Sequence, residues 1–210
     1  MRLLLVLGLL LAPSLVRAGD RAGDFTHYVL ALSWNASWCA LEGDQRKADQ
    51  CHPRHDYGFT LHGLWPQDER GWPEYCRTSH RDPSKRQSRE MADIMGSPGL
   101  AWYQWKKHGR CADIPAQAYY DLAREAYDMI ERPALLRKLK DPVTLPPGVI
   151  EKAFIEANPD LKANQLAVTC RDGLVQEVRV CLSKGLVPRA CSPQTERGCR
   201  AKKVKLLPMR

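Results

Sequence analysis

The sequence predicts a single domain that mixes strands with helices, and three observations carry the prediction. Strand-like runs lie toward both ends of the chain, at 24–34, 58–65 and 165–182, while helical spacing fills much of the stretch from 89 to 157. The ~190 residues that follow an N-terminal leader suit one domain with a sizeable core. Eight cysteines, an even number, all lie beyond that leader, at Cys39, Cys51, Cys76, Cys111, Cys170, Cys181, Cys191 and Cys199.

Residues 1–18 read as a secretory signal. Arg2 supplies the positive start, Leu3 to Leu11 the apolar run, and Val16-Arg17-Ala18 a small-residue cleavage site. The apolar run is too short to span a membrane, and no later segment approaches that length. The expectation is an exported domain over 19–199, periplasmic or extracellular, followed by a basic tail at 200–210 that lacks a clear period and frays. Without Arg2 and Arg17 the formal charge falls from +8 to +6. This suits a polyanionic partner, although many basic proteins bind none. No CxxC pair is present, so zinc-ribbon and thioredoxin readings lack their spacing. An even cysteine count in an exported chain favours up to four disulfides, and spacing alone leaves all 105 pairings of eight cysteines open. No membrane segment, obligate protein partner, internal repeat or second-domain linker is visible, and a monomer is the default.

In chain order, Asp24 to Trp34 is rich in Tyr, Val, Leu and Trp and reads as a buried central strand. Asn35-Ala36-Ser37 matches a glycosylation sequon and is treated as chance. Cys39 and Cys51 flank a charged loop. In Gly58 to Trp65, Phe59 and Leu61 alternate with Thr60 and His62, so a strand here buries the apolar pair and turns His62 to the other face. Gly63 allows an unusual backbone angle, and Pro66 is expected to end the strand. A lone histidine is ordinarily structural, but the face of His62 and the nearby Trp65 argue for a role. Trp65 is either core or a platform for a stacked base. His27, His52, His55 and His80 have no such context.

Residues 67–89 read as loop, including a basic run at 81–86 that is either solvated or a rim for phosphates. A short helix is expected at 89–95, broken by Gly96-Ser97-Pro98-Gly99. Within Trp102 to Cys111, helical spacing puts Gln104, Lys107 and His108 on one face and points Trp102 and Trp105 together toward a core. Gly109 and Cys111 read as helix stop and covalent tether. Tyr119, Leu122, Ala126, Met129 and Ile130 recur at helical steps within 115–139, with Pro133 separating a second helix. Another helix follows at 149–157. Gln165 to Cys170 and Leu174 to Leu182 alternate like a hairpin about Asp172-Gly173, with Glu177 and Arg179 sharing one face.

Two histidines, one on a strand and one on a helix, beside lysines and tryptophans, point to cleavage of a phosphodiester. Imidazole titrates near neutrality, so one ring can take a proton while the other gives one. RNA carries its own nucleophile in the 2′-hydroxyl, and lysine can stabilise charge growing on phosphoryl oxygens. No metal or other cofactor is called for. A metal-dependent phosphoesterase with His62 and His108 as ligands is weaker, because no Asp or Glu accompanies either at ligand spacing. A secreted interaction module with incidental histidines is the third reading.

Phe59-Thr-Leu-His-Gly-Leu-Trp-Pro66 and Trp105-Lys-Lys-His-Gly-Arg-Cys111 resemble the two active-site motifs of the ribonuclease T2 family, and the resemblance extends from about Phe25 to Cys191. It implies an α+β fold with a central antiparallel β-sheet flanked by helices. It also implies endonucleolytic RNA cleavage through a 2′,3′-cyclic phosphate, without a metal and with little base preference. By position, His108 would be the base, His62 the acid, Lys107 the stabiliser of the pentacovalent phosphate, and Trp65 a base-stacking ring. The resemblance further implies the disulfides Cys39–Cys51, Cys76–Cys111, Cys170–Cys199 and Cys181–Cys191. The chain departs from the family pattern where His-Glu-Trp is common, having Tyr103-Gln104-Trp105. Tyr103 still offers a hydroxyl, whereas Gln104 hydrogen-bonds but cannot raise the pKa of a neighbouring imidazole by charge. The expectation is an enzyme working nearer neutral pH than glutamate-bearing relatives, the alternative being a weakened RNA binder. Gln67 stands where many relatives carry an acidic group, so base preference is left open.

Overall fold

Strand β1 (His27–Trp34) lies between β2 (Phe59–Gln67) and β5 (Leu174–Leu182), antiparallel to both, in a computed structural model that describes residues 20–210. The signal expected at 1–18 lies outside the described residues. The sheet runs β2-β1-β5-β6-β3, where β3 is Val143–Leu145 and β6 is Val204–Leu206, and β4 (Leu166–Arg171) also pairs with β5. All its pairings are antiparallel except a single parallel contact between Leu174 and Lys205. Asp172 and Gly173, both at positive φ, turn β4 into β5, the backbone that a two-residue hairpin of matching twist requires.

The eight helices among the described residues are α1 (Asn35–Trp38), α2 (Lys85–Glu90), α3 (Ala92–Met95), α4 (Pro98–Lys107), α5 (Ala116–Asp128), α6 (Ala134–Arg137), α7 (Pro147–Ala157) and α8 (Pro193–Glu196). Tyr28, Leu30, Leu32 and Trp34 of β1 enter one core with Trp105 of α4, Tyr119 and Tyr120 of α5 and Phe154 of α7. Val29 and Ser33 point to the other face of the sheet and line its cavities. The alternation thus separates packing from chemistry within one strand.

Strand β2 holds an irregularity that matters to the site. Leu61 pairs with Leu32 and Gly63 with Ala31, so His62 is an extra residue with no partner on β1. Such a bulge lets Leu61 and Leu64 both stay buried while His62 and Trp65 emerge on the opposite face. Pro66 does not end the strand as expected. It pairs with Tyr28, and β2 is the sheet edge, where a missing N–H costs least.

The breaker at 96–99 is both a stop and a start. Gly96, at φ 77°, ends α3, and Ser97 caps α4 by accepting from the Gly99 and Leu100 amides, with Pro98 in the first turn. Trp105 is fully buried, but Trp102 is 41% exposed under the Lys106 ammonium, so the two rings do not share the core. Asp82, within the basic run, accepts from Trp105 Nε1 and from Arg110. Asn35 of the sequon is buried and exchanges hydrogen bonds with Gln50, so its amide serves packing.

The tail at 200–210 corrects the expectation of a frayed end. Val204 and Leu206 are buried, β6 pairs with β3, Trp34 Nε1 donates to Leu207 O, and Arg210 bonds Asp44. Alternation over three residues was too short to read as a strand. The cysteines pair as Cys39–Cys51, Cys76–Cys111, Cys170–Cys199 and Cys181–Cys191.

Candidate active site

A cavity of about 390 Å³ opens where the bulge in β2 faces the last turn of α4, lined by His62, Trp65, Tyr103, Gln104, Lys107 and His108. All six residues singled out from the sequence therefore meet in one place. Trp65 stands between the two imidazoles, its ring 5.1 Å from His62 and 5.3 Å from His108 between centroids.

His62 is held from behind by Glu177 of β5. Its Nδ1 and Glu177 Oε1 are 2.5 Å apart, and Arg179 donates to Glu177 Oε2 at 2.9 Å. Burial alone would push the Glu177 carboxyl up. The His62 hydrogen bond and the charges of His62 and Arg179 overcome this and bring its pKa down to about 2. An ionised Glu177 fixes the proton of His62 on Nδ1 and leaves Nε2 for the cavity. Arg179 also lies 5.2 Å above the Trp65 ring.

His108 is in a different environment. It caps α4 at φ −120°, is buried, and its Nδ1 has no hydrogen-bond partner among the described residues. Burial first, then the charges of Lys107 and His62, lower its pKa to about 3. The ring is neutral near pH 7, and a neutral imidazole accepts a proton.

Gln104 does not bond His108 through its side chain. Its Oε1 accepts from Trp65 Nε1 at 2.7 Å. Gly63 makes room for this contact, since a Cβ there would lie 2.4 Å from both atoms. Gly109 plays the same part at the helix end, where a Cβ would lie 2.6 Å from the Trp105 ring and 2.8 Å from Tyr119. Lys107 Nζ is 3.4 Å from Glu74 Oε2, and Lys107 O accepts from the Tyr75 amide. The Cys76–Cys111 bridge thus ties the loop carrying Glu74 and Tyr75 to the segment just after α4. Tyr103 is 44% exposed, with its hydroxyl 3.3 Å from that of Tyr75.

Sequence reasoning missed Glu177, Arg179, Glu74 and Trp72. Glu177 lies 115 residues from His62 along the chain and reaches it only through the fold. Its signal was visible as two charged residues on one face of an otherwise apolar strand. Trp72, 46% exposed, lines the cavity from a loop without periodicity, so nothing marked it. Among the described residues no group of three or more His, Cys, Asp or Glu side chains is placed to hold a metal ion.

The fold and this paired-imidazole site define the class. Residues 25–191 match the model of the ribonuclease T2 family, and the chain belongs to that family. A ribonuclease of Aeromonas hydrophila is 38% identical over 138 residues, covering 64% of this chain and 61% of that one. A probable ribonuclease of Haemophilus influenzae is 29% identical over 119 residues, covering 51% and 44%. The chain thus spans less than two thirds of either relative's length. The solved structure of an RNase-related protein from Calystegia sepium shares the fold with a TM-score of 0.66 at 19% identity, covering 88% of this chain and 98% of that one.

Proposed function

We propose that this protein is an exported, monomeric endoribonuclease that cleaves single-stranded RNA by transesterification through a 2′,3′-cyclic phosphate, without a metal or other cofactor. The observation that carries the reading is the unequal pair of imidazoles on either side of Trp65. His108, buried and neutral, takes the proton of the 2′-hydroxyl as the 2′-oxygen bonds to phosphorus. His62, hydrogen-bonded to Glu177, gives its Nε2 proton to the 5′-oxygen as the phosphorus–oxygen bond breaks. Lys107 and the Tyr103 hydroxyl meet the charge on the phosphoryl oxygens.

Glu177 is the positioning residue for His62, and Gln104 acts on the site through Trp65. Trp65 lines the cavity and keeps the imidazoles apart, while the more open ring of Trp72 takes the upstream base. A stacked contact reads no hydrogen-bonding edge, which fits low base specificity. Four disulfides support an oxidising location, periplasmic or extracellular. No helix among the described residues is long and apolar enough to cross a membrane.

The test is digestion of a short RNA in EDTA by the mature oxidised protein, alongside His62→Ala and His108→Ala. Cyclic phosphate ends from the wild type and none from either variant are expected. RNA bound but uncut by the wild type would establish the weakened binder instead. Cleavage surviving both substitutions would place the chemistry elsewhere.

A further inference from the structure

A second cavity, about 990 Å³, continues from the first through His62 and Tyr103, which line both. It lies on the His62 side and does not include Lys107 or His108. If His62 protonates the departing 5′-oxygen, the chain downstream of the cut enters this groove. Ligand pockets of roughly 300–1,000 Å³ hold drug-sized molecules, so 390 Å³ suits one nucleotide and 990 Å³ leaves space for two.

Two features of the groove match the chemistry of a second nucleotide. Arg46 and Arg171 both bond Glu42, at 2.6 and 2.5 Å, and Asp172 lies 3.6 Å from Arg171, yet the two side chains stay 66% and 47% exposed, so guanidinium N–H groups remain open to the groove. His55 and Tyr57 stack in the same groove, their rings 5.1 Å apart and within 16° of parallel, with His55 Nε2 anchored on Asp49. A cation for the backbone and a flat aromatic surface for a base are the two elements of single-strand recognition.

We propose that this groove binds the second nucleotide downstream of the scissile bond, its phosphate at Arg46 and Arg171 and its base on the His55–Tyr57 pair. The preferred substrates are then RNA chains with at least two nucleotides beyond the cut. The proposal rests on the ribonuclease reading above.

The test uses substrates with one ribonucleotide followed by one, two or three deoxynucleotides, which fixes the cleavage position. For the wild type, kcat/KM rises about tenfold from one downstream nucleotide to two, the scale of one stacked base. It changes little from two to three. The double variant Arg46→Gln, Arg171→Gln loses most of that gain and lowers the salt slope for the longer substrate by about 0.7, one single-strand phosphate contact. Cleavage of the shortest substrate stays unchanged and shows that the variant is folded. Equal rates on all three substrates, or an equal loss on all three in the variant, overturn the second-nucleotide site alone. No cleavage of any substrate by the wild type overturns the ribonuclease reading and this proposal with it.

Discussion

Gln104 accepts a hydrogen bond from the indole of Trp65, 39 residues away in sequence, and not from the imidazole four residues along its own helix. The uncharged side chain therefore shapes the site by holding the ring that both histidines face. A carboxylate at this position would add negative charge beside buried His108 and favour its protonated form. With His108 as the proposed base, its pKa of about 3 puts the acidic limb of kcat/KM well below neutral, opposite to the expectation that losing the glutamate charge moves activity toward neutral pH. Gln104→Glu moves that limb upward by about one pH unit or more, read from pH–rate profiles of the two proteins.

Glu177→Gln removes the charge that fixes the proton on His62 Nδ1. We expect kcat to fall by roughly 10²-fold, within the range for losing a positioned acid. The sign of the stability effect also follows. Glu177 titrates at about 2 in the folded protein against an ordinary 4.5, so its stabilisation is present above pH 4.5 and is lost as pH falls toward 2. Urea unfolding between pH 6 and 2 checks this, because the variant loses less stability over that window than the wild type.

Gly63→Ala tests the close approach of β2 to α4. The added Cβ would lie 2.4 Å from Gln104 Oε1 and Trp65 Nε1, so their hydrogen bond must open. Overpacking of this kind costs about 1–3 kcal/mol. The kcat/KM should fall by more than about tenfold, since small misplacements at a site are costly. Unfolding and cleavage assays on one preparation separate the two effects.

Removal of residues 201–210 should be more damaging than a tail's position suggests. Val204 and Leu206 are almost wholly buried, and each is worth about 1.5–3 kcal/mol. Against a typical stability of about 5–15 kcal/mol, the truncated protein unfolds at a much lower urea concentration. The fraction that stays folded should retain the proposed activity, because the deleted strand does not line the cavity that holds His62 and His108.

Much of this was legible in the chain. The central strand, the face of His62, the helix carrying Gln104, Lys107 and His108, and the Asp172-Gly173 turn follow from local periodicity and turn chemistry. Glu177 was readable as a charged residue on an apolar strand, but its partner lies 115 residues away. That contact exists because Ser33 of β1 pairs with Glu177 next to the bulge, and strand order is not a local property. The tail was misread for the same reason, since a three-residue strand is stabilised by its neighbours and carries almost no pattern of its own.

The extra residue in β2 bears on how such a site can change over evolutionary time. Amino-acid replacements around His62 adjust the site by degrees. Loss or gain of one residue between Leu61 and Leu64 is a different kind of event, because it alters parity: a regular ladder would send either the histidine or an apolar neighbour to the wrong face. This segment is therefore open to point variation but closed to changes of length, and lineages that keep His62 and Trp65 facing the cavity must keep its count.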